Sequence, residues 1–274
     1  MRRSRGWYGV AGFLAGTGLG ALTVALKGTV LYPGPVLAPI AHGVIGAAFG
    51  LALHAAVDSR RRMFRSYSGS LNALANAVAA KDDETNGHCK RVVQYSLLMG
   101  RRMGLNKRLL QQLEWGALLH DIGKIAVPDS ILKKPGPLTD EEWVIMKEHA
   151  HMGWLMVKDI SFLQEGGDVV LSHHERWDGR GYPNEYRGEE IPLLARIFAI
   201  ADTFDAITSD RPYRAARPIS FAREEIEKYK GTQFCPKCVE VFLQIPESDL
   251  ERVQEEAKIL DYEALQLQKF KHIS

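Results

Sequence analysis

Cysteine is scarce in this sequence: Cys89, Cys235 and Cys238 are the whole complement of a 274-residue chain. An odd number at uneven spacing excludes a disulfide framework and agrees with a reducing compartment. An excess of one charge is also missing. The 35 Lys and Arg against 33 Asp and Glu leave a formal net charge of +2, which supplies no field for a long nucleic acid. Alternation of apolar and polar residues nowhere runs long enough for a sheet, which argues against a β class. There is no internal repeat, which argues against a solenoid. With 46% hydrophobic and 25% charged residues, the composition is that of a globular protein and not of a disordered one.

Charge is wholly absent from two stretches near the N-terminus, 7–26 and 36–57, counting histidine as neutral. Each matches the roughly 20 residues that a helix needs to cross a bilayer. A short turn, KGTVLYPGP, separates them, and the arginine-rich MRRSR and DSRRRMFR lie outside them. The positive-inside rule then puts both outer ends in the cytoplasm. The expectation is a two-helix transmembrane hairpin over 1–57 and a basic juxtamembrane linker over 58–70, its arginines set against anionic lipid. A cleaved signal peptide is the alternative for the first stretch, but no A-x-A site follows it. Gly12, Gly16 and Gly20, and Gly46 and Gly50, have the spacing that lets membrane helices approach closely. Glycine is also simply common in such helices.

From Ser66 onward the periodicity is helical. His88, Val92, Tyr95, Met99 and Met103 share a face, as do Leu110, Leu113, Ala117 and His120. Thr139 and Glu142 read as a capping box ahead of Trp143, Met146, His149, Gly153 and Met156. Pro192 suits a first helical position before Leu194, Ile197, Ala201 and Phe204. Ser248 and Glu251 open an amphipathic C-terminal helix, 248–274, with Leu250, Val253, Ala257 and Leu260 on one face. The expected class is all-α, with one catalytic domain over 71–247, a size that one core can support.

The polar residues that interrupt these apolar faces are His88, His120, Asp121, His149, His173, His174 and Asp202. A single histidine on such a face is usually just hydrogen-bonded. Here five of the nine histidines and two aspartates enter the buried faces of successive helices. Buried carboxylates need partners, and imidazole with carboxylate is a natural metal ligand set. Convergence of this kind is how a di-metal core is built in a helical bundle.

Four segments carry a family resemblance. HDIGKIAVPD (120–129) resembles the HD signature, and HHERWDGRGYP (173–183) is similar to the HHExxDGxGYP element that names the HD-GYP family. ADTFDAITSDRPYR (201–214) and GTQF (231–234) follow in that family's order, so the likeness covers roughly 80–245. The family consists of bacterial cyclic di-GMP phosphodiesterases. The resemblance implies an HD-type helical bundle around a di- or tri-metal centre, with iron or manganese as the metal.

Carried over by position, the ligands would be His88, His120, Asp121, His149, His173, His174 and Asp202, with Asp121 bridging two metals. Glu84, one turn before His88, would admit a third metal; the plain alternative is a solvated residue of the KDDE run. Lys124 resembles the phosphate-binding lysine. Arg211 and Arg214 match positions for the second phosphate and the base, and Gly181 and Tyr182 would contact a guanine. Substrate and partner would be cyclic di-GMP, cleaved to linear pGpG or GMP. The bacterial cytoplasmic membrane would be the location, with a homodimer through the hairpin or the final helix.

Two departures stand out. Arg214 replaces a frequent lysine, and GTQFCPKC has Cys235 where the family commonly has Asp. Cysteine is the poorer N-cap, weakening the helix start by about 1 kcal/mol. The resulting CxxC is either structural or a redox pair, and the redox reading needs a low-pKa thiol at the helix N-terminus. The competing functions are a phosphohydrolase of another nucleotide and a weakly active binding module.

Overall fold

Helical periodicity becomes helix throughout the described residues of this computed structural model, which are 34–81, 86–210 and 214–258. The chain divides into two compact units between Gly69 and Ser70.

In the first unit the described residues lie on helix α1, Gly34–Lys81. No helix among the described residues is long and apolar enough to cross a membrane. This overturns the expected transmembrane hairpin. Its first span, 7–26, lies outside the described residues. Its second lies within α1, which runs on through Asp58, Arg60, Arg61 and Arg62. The reason is compositional. Between Gly43 and Ala56 glycine and alanine outnumber large apolar residues, and each brings less apolar area to transfer into lipid than a leucine or isoleucine would. His54 instead pairs with Asp58 one turn on, at 3.5 Å. The expected membrane location and membrane partner rested on that hairpin.

The second unit opens with the last turns of α1, where Leu71, Ala75 and Val78 are buried. Then come α2 (Asn86–Arg102), α3 (Lys107–Leu119), α4 (Asp129–Leu132), α5 (Asp140–Val157), α6 (Gln164–Ser172), α7 (Leu193–Thr208), α8 (Ile219–Lys228) and α9 (Pro236–Leu243). A further helix, α10, covers 247–258. A 3-10 turn, Ile122–Ala126, joins α3 to α4. β pairing among the described residues is confined to isolated bridges such as Asp178 with Arg187. The all-α expectation for this unit agrees with the structure.

Helix α7 is the hub. It packs against α2, α6, α8 and α9, and Leu194, Ile197, Phe198, Ala201 and Phe204 are all buried. Each large apolar side chain removed from water contributes about 1.5–3 kcal/mol. Phe204 meets the Tyr95 ring edge-on at 4.9 Å and the Phe242 ring at 5.3 Å. Pro192 is the residue before the first turn of α7, one position earlier than expected.

Helix α5 starts on the expected capping box of Thr139 and Glu142. Its buried face differs from the sequence expectation. His149, Ala150, Gly153 and Val157 are buried, whereas Trp143 and Met156 are exposed. The cause is the close approach of the 3-10 turn. A Cβ on Gly123 would stand 1.9 Å from the His149 carbonyl oxygen and 2.5 Å from the Gly153 nitrogen. Backbone contact with Gly123 therefore sets the rotation of α5, and the apolar stripe follows.

Candidate metal centre

Each candidate histidine comes from a helix end or a buried helix face. His120 follows α3, His149 lies on α5, His173 and His174 follow α6, and His88 lies on α2. Asp121 opens the 3-10 turn, and Asp202 lies on α7. The turn is held from outside the cluster. Lys81 Nζ donates to the carbonyls of Ile125 and Val127, each at 2.8 Å, and to that of Lys124 at 3.2 Å.

The side chains gather into two triads. Ligand atoms of His149, His173 and His174 lie within 4.8 Å of one another, as do those of His88, His120 and Asp202. Asp121 reaches both. Its Oδ2 is 2.9 Å from His120 Nε2, and its Oδ1 is 3.4 Å from His149 Nε2 and 3.8 Å from His173 Nε2. Lys124 Nζ is 2.8 Å from Asp121 Oδ2.

The outer nitrogens decide the tautomers. Nδ1 of His120, His149 and His173 lies 2.7–2.9 Å from the carbonyls of Ala117, Met146 and Val170. A carbonyl only accepts, so each Nδ1 carries the proton and Nε2 keeps its lone pair. His88 Nδ1 meets Asp205 Oδ2 at 2.8 Å, and Asp205 also takes a donor pair from Arg91. Those two partners hold the Asp205 carboxyl below the usual carboxylate range against the effect of burial.

Burial drives the His149 and His173 pKa values down, and burial, then the competing imidazole of His149, brings His174 to about 3. Burial alone would push the Asp121 carboxyl up; His120 and Lys124 beside it hold it well below the usual range. Burial thus favours neutral imidazoles at His149, His173 and His174 beside an ionised Asp121. His149 Nε2 and His173 Nε2 face each other at 3.2 Å. Nitrogen lone pairs converging beside a carboxylate suit a cation, so this donor set fits divalent cations. Protonated outer nitrogens bonded to carbonyl or carboxylate are also the usual support of metal-binding histidines.

Tyr182 stacks on His174, with centroids 4.6 Å apart and planes 27° from parallel. Burial, then Asp121, raises its pKa, so the phenol keeps its proton. Gly181 serves the loop itself, because a Cβ there would meet Arg176 N at 2.4 Å and Glu175 Cα at 2.5 Å. Arg214 is exposed, and its guanidinium donates to the Ala206 carbonyl. Glu84 and Arg211 lie outside the described residues, and with Glu84 goes the expected third metal. Sequence reasoning missed Asp205, Arg91 and Lys81. Asp205 follows Ala201 by four on the buried face of α7, the same signal that singled out Asp202.

An HD domain family model matches residues 72–238. A cyclic di-GMP phosphodiesterase of Thermotoga maritima is 43% identical over 167 residues, 60% of this chain and 45% of that protein. The cyclic di-GMP phosphodiesterase response regulator RpfG of Xanthomonas campestris pv. campestris is 41% identical over 176 residues, 64% of this chain and 47% of that protein. A 3'3'-cGAMP-specific phosphodiesterase 2 of Vibrio cholerae is 41% identical over 173 residues, 62% of this chain and 33% of that protein. The chain therefore spans a third to about half the length of these relatives. With the H-D pair at 120–121 and G-Y-P at 181–183 inside a match that takes in more than half of its residues, the chain belongs to the HD domain family.

Proposed function

We propose that this domain hydrolyses a phosphodiester bond of cyclic di-GMP, with divalent iron or manganese held at the two triads. One cation would be held by His88, His120 and Asp202, the other by His149, His173 and His174, with Asp121 shared. The observation that carries the proposal is the position of Asp121, whose two oxygens face different triads. The names of the relatives support the substrate class. Mixed nitrogen and oxygen donors suit iron or manganese, and Glu84 would contribute to a third cation.

When bound, such a pair of cations lowers the pKa of water and neutralises phosphate oxygens. The protein's own groups do the rest. Asp121, ionised at neutral pH, fixes the separation of the triads. Lys124, held by Asp121, supplies a charged Nζ for a phosphate oxygen and a proton for the departing ribose oxygen. Tyr182 keeps a phenolic proton to donate to a guanine, and its ring is already ordered by His174. Arg211 and Arg214 would clamp the second phosphate, since a guanidinium fork takes two oxygens. For Arg214 this requires release of the Ala206 carbonyl.

A second reading, hydrolysis of 3'3'-cGAMP, is favoured by the Vibrio cholerae relative. The test is kcat/KM of the full manganese-loaded chain on both dinucleotides. A preference for cyclic di-GMP is expected. Preference for 3'3'-cGAMP would transfer the substrate and keep the chemistry, while tight binding without turnover of either would make the domain a receptor.

A further inference from the structure

The Cys235–Cys238 pair is the sequence motif that the proposed chemistry leaves unused. Cys235 is the residue before the first turn of α9, with Pro236 at the first helical position, and Cys238 lies in that turn. Arg196 Nη1 donates to Cys235 Sγ at 3.7 Å, and the same guanidinium lies 5.8 Å from the centre of the Trp177 ring. Residues three apart in a helical turn have Cα atoms about 5 Å apart, within the roughly 4.4–6.8 Å that a disulfide spans. Closing the pair needs no large movement of the backbone.

The two sulfurs are not equivalent. The neighbouring Cys238, and then Arg196, pull the Cys235 pKa down against the effect of burial, while Cys235 and burial push Cys238 up. A sulfur favoured as thiolate beside one favoured as thiol is the arrangement of an attacking and a resolving cysteine. Access selects the oxidant. Cys235 is 4% exposed and Cys238 0%, which bars a protein disulfide and leaves only a small oxidant.

We propose that Cys235 and Cys238 are a modification site for hydrogen peroxide, which closes them into an intramolecular disulfide. Cys235 thiolate attacks one peroxide oxygen; the O–O bond breaks, the sulfur becomes a sulfenic acid, and hydroxide leaves and takes up a proton as water. The Cys238 sulfur then attacks the Cys235 sulfur. The S–O bond breaks, the S–S bond forms, and the Cys238 proton leaves with the hydroxide as a second water. Two thiols and one peroxide give one disulfide and two waters. The pair directly follows the turn whose Thr232 and Gln233 carbonyls accept from Asp178 and Trp177, so the modification falls beside the loop that carries His174 and Tyr182.

The test is peroxide treatment of the reduced full chain, followed by alkylation, digestion and mass mapping. The expected product is a Cys235–Cys238 disulfide, two hydrogens lighter and reversed by dithiothreitol, formed while Cys89 still alkylates. Once the peroxide is removed and the chain is unfolded, dimedone is expected to label Cys235 in Cys238→Ser and not to label Cys238 in Cys235→Ser. Two alkylated thiols at a dose that oxidises Cys89, or a dimedone adduct on Cys238 in Cys235→Ser, would overturn the proposal. The readout is mass and not hydrolysis, so it stands apart from the fate of the phosphodiesterase reading.

Discussion

At the scale of single residues, Asp205 illustrates how a site depends on groups that touch no substrate. It fixes His88 through Nδ1 and is itself fixed by Arg91. Asp205→Asn keeps the shape and removes the charge. Manganese affinity by calorimetric titration is expected to fall roughly 10–100-fold, the usual cost of losing such support. Unchanged affinity would mean that His88 holds no metal. The same histidines make a pH prediction for the metal-free chain. His149, His173 and His174 have folded pKa values depressed by burial. Below the ordinary histidine value of about 6.5 the unfolded chain takes up protons that the folded chain does not. Stability is therefore present above that value and is lost as pH falls below it. Urea midpoints measured from about pH 7.5 to about pH 5 should drop steadily in chelator-treated protein, and a flat series would contradict the burial account. The seven candidate ligands were legible in the sequence because buried polar residues break an apolar rhythm. Asp205, three positions after Asp202, carries the same helical signal, whereas Lys81 gives none because its partners are backbone carbonyls.

At the scale of elements, the contact between the 3-10 turn and α5 sets the position of His149. Gly123→Ala would drive a methyl into the His149 carbonyl. A loss of at least about 1–3 kcal/mol is expected, read by thermal unfolding, together with weakened metal binding because α5 must move. Thr139→Ala removes only the N-cap of α5 and should cost about 1 kcal/mol with metal affinity unchanged. Equal effects of the two variants on metal binding would refute the special role of the turn. The capping box was legible because it is a local pattern of two residues. The buried face of α5 was not, since a backbone contact with a glycine remote in sequence sets it. Cys235 was legible as a cap and as half of a CxxC, but only the fold supplies Arg196.

At the scale of the whole molecule, composition and periodicity gave the all-α class, and motif order gave the family that the match over 72–238 supports. The transmembrane hairpin is overturned, since no helix among the described residues is long and apolar enough to cross a membrane. Stretch 36–57 lacks charge, yet glycine and alanine make up 10 of its 22 residues. The most direct measurement is hydrolysis of cyclic di-GMP by the full chain loaded anaerobically with manganese or ferrous iron, with Asp121→Ala alongside. The account predicts metal-dependent turnover to a linear product, reduced in Asp121→Ala by more than the roughly 10–100-fold cost of losing an outer partner. Turnover that survives in Asp121→Ala, or that persists without metal, would contradict it.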